Sequence, residues 1–173
     1  GRKQALVAAE SACQVGFQHT NLDLMFGLPG QTSEMALADM RQAMALKPDH
    51  ISYYQLTLEP NTLFYQAPPP LPPEEVIWEM QCHGEQELSS AGFRQYEISA
   101  FSRPGAQCRH NLNYWLFGDY IGIGAGAHGK ITDLEQQRVL RRWRVRDPMR
   151  YLALAGTPGA VSGQRVLDQA DRV

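Results

Sequence analysis

Three things are scarce in this sequence, and each scarcity closes a class of function. Cysteine occurs only at Cys13, Cys82 and Cys108. That odd number, widely scattered, fits neither a disulfide framework nor a close-spaced metal knuckle, so reduced thiols are expected. Excess charge of one sign is also missing: the formal net charge is −2 at pH 7, which gives no basic field to draw the chain onto nucleic acid or an anionic membrane. No apolar run approaches the length of a bilayer crossing, and Gly1-Arg2-Lys3-Gln4 opens into an alanine-rich helical pattern and not a signal peptide. A cytoplasmic protein without a nucleic-acid partner is the expectation. The start inside a helix, and the Ala155-Gly156-Thr157-Pro158-Gly159 stretch ahead of a short polar tail, are read as marks of a piece of a longer protein.

What is present is enough for a packed domain: 173 residues, of which 43% are hydrophobic. From Gln4 to Val15 apolar residues recur at helical spacing, and Gly16 is placed to end that helix. Asn21 to Phe26 is a short, mostly apolar run followed by Gly27, Pro29 and Gly30, which predicts a strand buried on both faces with Asp23 inside it. Thr32 or Ser33 caps a helix lined by Leu37, Met40 and Met44 and stopped by Pro48. His50 to Thr57 is rich in β-branched and aromatic residues and predicts a second strand. The result is a βαβ unit, which implies a parallel sheet.

Ala67 to Pro73 is proline-rich and predicts an extended surface connector. A helix opening at Glu74-Glu75 and closed by Gly92 follows, then a strand at Gln95 to Ser99. Asp119 to Gly124 is expected to be a strand entering the glycine-rich turn Gly124 to Gly129. Arg138 to Val145 is expected to be a further strand, and Asp147 to Ala155 a last helix.

In parallel α/β folds ligands lie where strands meet their following loops. Asp23, the Glu59-Pro60-Asn61-Thr62 stretch, Tyr96 with Glu97, and the glycines from Gly122 to Gly129 all fall there. A buried carboxylate at Asp23 needs a donor, either a ligand or neighbouring backbone amides. Gly27-Leu28-Pro29-Gly30-Gln31 offers helix-terminal amides to an anion, or serves only as a tight turn. The later glycines would let backbone approach a flat ligand, although they match neither the dinucleotide fingerprint nor the P-loop. Cys108-Arg109-His110-Asn111-Leu112-Asn113-Tyr114-Trp115 is the densest segment. His110 is a candidate iron ligand through a neutral imidazole nitrogen, Cys108 a second soft ligand, and Tyr114 and Trp115 candidate walls for a macrocycle; the alternative is a surface histidine with packed aromatics.

Taken in order, Asn21 to Gln31, Tyr54 to Thr62, Tyr96-Glu97-Ile98-Ser99, His110 to Trp115, Gly118 to Gly124 and Gly126-Ala127-His128-Gly129 resemble consecutive blocks of the HemW family. The likeness runs from about Gln4 to Tyr151. HemW proteins belong to the radical SAM superfamily beside the oxygen-independent coproporphyrinogen III oxidases. The resemblance implies an α/β fold that is part of an incomplete TIM-like radical SAM barrel, with residues 1–130 as its C-terminal part and 131–173 as an extension of strand, helix and tail. It also implies S-adenosyl-L-methionine, heme and a 4Fe-4S iron–sulfur cluster in the full-length proteins. By the same likeness Asp23, Thr57 and His128 fall at or near S-adenosylmethionine contacts. The His-Asn-x-x-Tyr-Trp block, absent from the oxidases, is intact here and assigns His110, Tyr114 and Trp115 to heme, with His110 on the iron.

The departures from the family bear on activity. The Cys-x-x-x-Cys-x-x-Cys pattern that holds the cluster is absent, as are the early half of the barrel and the C-terminal domain, so an exposed sheet edge is expected and radical catalysis by this chain alone is not. Three readings stand: a heme-binding and heme-delivering protein, a coproporphyrinogen-oxidase-like enzyme of porphyrin biosynthesis, or an inert barrel remnant. The partners implied by the first are heme and heme-accepting proteins, respiratory ones being one class; a homodimer is left open.

Overall fold

The computed structural model describes residues 2–17 and 19–167. The chain divides into two compact units, one ending at Cys108 and one beginning at Arg109. The barrel–extension boundary expected at 130/131 falls inside a strand, His128–Asp133.

The first unit contains helix α1 (Arg2–Gln14), strand β1 (Asn21–Phe26), α2 (Ser33–Ala45), β2 (His50–Gln55), the short α3 (Leu63–Gln66), α4 (Glu74–Ser90), β3 (Arg94–Glu97) and β4 (Ala100–Ser102). The strands form one sheet in the order β1-β2-β4-β3, so β1 is an edge. Only β1 and β2 run parallel, with Asn21 opposite His50 and Phe26 opposite Gln55. The pairs β2–β4 and β3–β4 are antiparallel. The parallel pairing expected of the βαβ unit is found between β1 and β2, and the sheet as a whole is mixed. The reason lies at Ile98-Ser99, where two residues connect β3 to β4: so short a link can make only a hairpin, never a parallel crossover. Ile98 is β-branched yet 79% exposed in that turn, which is why the sequence reads as one strand through residue 99.

Helices α2 and α4 pack on a single face of the sheet. Ala36, Met40 and Ala43 of α2 and Met80 and Leu88 of α4 are buried with Phe26, Ile51, Tyr53, Phe93 and Phe101. The Thr32 hydroxyl accepts the Met35 amide at 3.3 Å and caps α2. Gly84 is required by packing, since a Cβ there would lie 2.5 Å from the Tyr53 ring. That ring stacks on Phe26 with centroids 4.3 Å apart, and its hydroxyl donates to the Met80 carbonyl at 3.0 Å. Burial raises the Tyr53 pKa, with Glu85 adding to the effect. Residues 68–73 run without helix or strand, as the proline-rich connector predicts.

The second unit contains α5 (Arg109–Trp115), β5 (His128–Asp133), β6 (Arg138–Arg144), α6 (Pro148–Leu154) and β7 (Val161–Leu167), the strands forming an antiparallel sheet in the order β5-β6-β7. Asp147 caps α6, its side chain accepting the Arg150 amide at 2.7 Å. Two expectations fail. Asp119 to Gly124 is not a strand: Tyr120 makes one isolated bridge with Lys130, and Gly124 adopts φ +113, a conformation that breaks a ladder. Strand β7 is unanticipated, since its VSGQRVL sequence alternates little and takes its place by pairing with β6. Residues 168–173 of the expected polar tail lie outside the described residues. Among the described residues no helix is long and apolar enough to cross a membrane.

Candidate functional site

Because paired residues of a ladder share a face, Asn21, Asp23 and Met25 of β1 stand on the same side as His50, Ser52 and Tyr54 of β2. This is the side opposite the α2–α4 core. Asp23 is thus exposed, not buried between two layers as expected, because β1 packs only its Leu22, Leu24 and Phe26 face against helices. The carboxylate is nonetheless held. Asn21 Nδ2 donates to Asp23 Oδ1 at 2.8 Å. Asn21 Oδ1 lies 2.6 Å from His50 Nδ1 and accepts from the Ser52 hydroxyl at 3.2 Å. His50 Nε2 lies 2.6 Å from the Tyr96 hydroxyl oxygen, which also accepts the Cys108 amide at 3.2 Å. His50 is only 3% exposed. Burial lowers its pKa, and the nearby carboxylates of Asp23 and Glu97 offset part of that effect.

Thr57 lies beyond the last ladder pair, Phe26 with Gln55, whereas Asp23 sits mid-ladder opposite Ser52. The register therefore does not bring the two side by side. Thr57 is exposed and donates to Glu59 Oε1 at 3.1 Å. The Glu59-Pro60-Asn61-Thr62 stretch opens α3, with the Thr62 hydroxyl accepting the Tyr65 amide at 3.2 Å. In the Gly27-to-Gln31 turn, Gln31 Oε1 accepts the Leu28 amide at 3.1 Å and its own amide donates to the Leu28 carbonyl at 2.9 Å. These bonds close the turn on itself and take up both amides.

In the second unit His110 and Tyr114 are four residues apart on α5 and so share a face. Their rings meet edge to face with centroids 4.9 Å apart, and Tyr114 packs against Tyr120 at 4.8 Å. Trp115 is next on the helix and 64% exposed, beside Leu116 at 79%, Ile121 at 73% and Ile123 at 82%. So many large apolar side chains within ten residues, all open to water, are of the kind that marks an interaction surface. His110 is itself exposed at its margin.

This exposed segment is tied down from below. Asn113 Nδ2 donates to the Asp119 carbonyl at 3.0 Å, and Gly118 packs so closely that a Cβ would lie 1.9 Å from Asn113 Oδ1. Lys130, buried on β5, donates to the Phe117 carbonyl at 2.7 Å and to Asp119 Oδ1 at 3.0 Å, and sits 3.9 Å above the Phe117 ring centroid. Asp119 also accepts the Thr132 amide at 2.7 Å, and that bond is the main cause of its lowered pKa, with Lys130 and the Thr132 hydroxyl contributing. His128, first residue of β5, stacks on Trp143 with centroids 6.3 Å apart. The glycine stretch does not leave all its space to a ligand: a Cβ at Gly122 would lie 2.1 Å from the His128 carbonyl oxygen, so this glycine admits the protein's own backbone.

The sequence singled out His110, Tyr114 and Asp23 but not the groups that hold them. Asn21 is signalled by its i, i+2 spacing from Asp23, which places both on one face of a strand. His50 is signalled only by being a polar residue at the head of an apolar strand. Lys130 carries no local signal, since its burial depends on a carboxylate eleven residues away.

No protein-family profile matches the chain. It is 53% identical over 152 residues to the heme chaperone HemW of Escherichia coli K12, covering 88% of this chain and 40% of that protein. The chain is homologous to part of HemW. It is likewise 49% identical over 156 residues to HemW of Haemophilus influenzae, again covering 88% of this chain and 40% of the relative. The chain thus spans about two fifths of the length of these HemW relatives. Among solved structures it is similar to coproporphyrinogen III oxidase (HemN) of Escherichia coli, described as a radical SAM enzyme, with a TM-score of 0.77 and 20% identity over 99% of this chain and 42% of that one. At that identity the likeness shows the fold: mixed α/β, with a partly parallel sheet.

Proposed function

We propose that this chain is the heme-holding part of a HemW-type heme chaperone. The observation that carries the reading is the pairing on α5 of an exposed histidine, His110, with the exposed apolar run from Tyr114 to Ile123, on a segment anchored through Asn113, Asp119 and Lys130. An imidazole nitrogen of His110 would bond the heme iron, while Tyr114 and Trp115 would lose water contact against the porphyrin face. Release to heme-accepting proteins, respiratory ones among them, completes the activity, in the cytoplasm.

In the intact protein we take residues 1–130 as the C-terminal part of a radical SAM barrel and 131–173 as its extension. Asp23, Thr57 and His128 are assigned there as S-adenosylmethionine contacts, and the three-cysteine segment that binds the 4Fe-4S cluster lies outside this sequence. Among the described residues no group of three or more His, Cys, Asp and Glu side chains is arranged to hold a metal ion, so His110 would act as a lone protein ligand to an iron already held by porphyrin. The test is a hemin titration of this chain and its His110→Ala variant, followed by absorbance. Saturable binding with a Soret shift lost in the variant is the expected result. Equal behaviour of the two proteins would remove His110 as the ligand and bring forward the oxidase-like or inert readings.

A further inference from the structure

Hydrogen-bonding capacity, with His50 neutral, gives the network on the open face of the first sheet a single direction. The Asp23 carboxylate can only accept, so the Asn21 atom 2.8 Å from it must be the amide nitrogen. That fixes Asn21 Oδ1 toward His50, and a carbonyl oxygen can only accept in turn. The hydrogen between them, over 2.6 Å, therefore sits on His50 Nδ1. In a neutral ring this leaves Nε2 as an acceptor, so the Tyr96 hydroxyl, 2.6 Å away, must donate to it. The hydroxyl oxygen accepts the Cys108 amide at 3.2 Å. With His50 neutral the bonds run one way, from a backbone amide through Tyr96, His50 and Asn21 to Asp23.

The network is more elaborate than burial of one histidine requires. One end is rooted in backbone and the middle is 3% exposed, while the far end is a carboxylate on the open face. Asn21 engages only Oδ1 of that carboxylate; no donor among the described residues hydrogen-bonds Oδ2.

We propose that Tyr96, His50 and Asn21 are positioning residues for Asp23, forming a one-way relay that holds the carboxylate in one rotamer and presents Oδ2 to an N–H or O–H donor of a ligand. The identity of that ligand as S-adenosylmethionine rests on the reading given above; the relay does not. Leucine at position 50 fills space but can neither donate nor accept, whereas glutamine offers an N–H toward Asn21 and a carbonyl toward Tyr96. A role in packing alone would be served by either.

The test measures the Asp23 side-chain rotamer by three-bond NMR couplings in wild type, His50→Gln, His50→Leu and Tyr96→Phe, together with the His50 tautomer from ring nitrogen shifts. Wild type and His50→Gln are expected to show one rotamer, His50→Leu an averaged one. Wild type is expected to hold the Nδ1–H tautomer and Tyr96→Phe to lose it in part. If His50→Leu does not fold, Tyr96→Phe decides. A single unchanged Asp23 rotamer in every folded variant overturns the relay, as does a wild-type Nε2–H tautomer. Calorimetric titration with S-adenosylmethionine is then expected to show affinity about tenfold weaker where the rotamer averages. Rotamers that respond as expected, in a wild-type chain with no affinity for S-adenosylmethionine, would leave the relay standing and remove that ligand from Asp23.

Discussion

Lys130 holds its ammonium 3.0 Å from Asp119 Oδ1 with a side chain only 3% exposed, while the Asp119 side chain is 44% exposed. The two partners are therefore unequal. Without Asp119, a buried cation keeps only the Phe117 carbonyl and ring as company. Without Lys130, the carboxylate still faces water and still accepts from the Thr132 amide and hydroxyl at 2.7 and 2.8 Å. Stranding a buried charge is the costlier loss.

Asp119→Ala is accordingly expected to lower the unfolding free energy by about 3 kcal/mol, and Lys130→Met by about 1 kcal/mol, read from urea midpoints at constant slope. A larger loss for Lys130→Met than for Asp119→Ala would show that the buried cation is not what the carboxylate serves.

Burial keeps the His50 ring neutral against the pull of the Asp23 and Glu97 carboxylates, so its pKa in the folded protein lies below the ordinary 6.5. The unfolded chain takes up the proton first as pH falls. The contribution of His50 to stability is therefore fully present above its unfolded pKa, declines as pH drops below it, and is gone once pH passes the folded value. Denaturation followed between about pH 7 and pH 5 is expected to show a steeper loss in wild type than in His50→Gln, whose amide does not titrate. Parallel curves would mean that His50 carries its proton equally in both states.

The parts of the fold that could be read from sequence are those set by local rules. Thr32 caps α2 where expected, a helix follows Asp147, and Gly92, with φ +84, ends α4. The parts that could not be read depend on partners distant in the chain. Asp119 to Gly124 has the composition of a strand, but the Asp119 carboxylate occupies the Thr132 amide, and beyond Tyr120 the segment finds no ladder. Asp23 was expected to be buried because an apolar strand followed by a helix suggests two covering layers; the layer that would cover Asn21, Asp23 and Met25 is not formed by the described residues of its own unit. The pairing of the His110 and Tyr114 rings depends on an i, i+4 relation along α5, a helix that the sequence reading did not anticipate.

Trp115 and Tyr114 are neighbours on α5 with different structural obligations, and this separates a binding role from a packing role. Tyr114 lies between the His110 and Tyr120 rings, so truncating it removes contacts the protein makes with itself. Trp115 is 64% exposed, and an exposed side chain away from such contacts usually changes stability by about 0.5 kcal/mol or less when replaced. If the exposed apolar run holds a porphyrin, Trp115→Ala is expected to leave the urea midpoint unchanged while weakening hemin about tenfold, as loss of one buried aromatic contact would. Tyr114→Ala is expected to reduce both. Hemin affinity unchanged in Trp115→Ala, measured by the same absorbance titration, would place the macrocycle off this face of the helix even if His110 proves to bind iron.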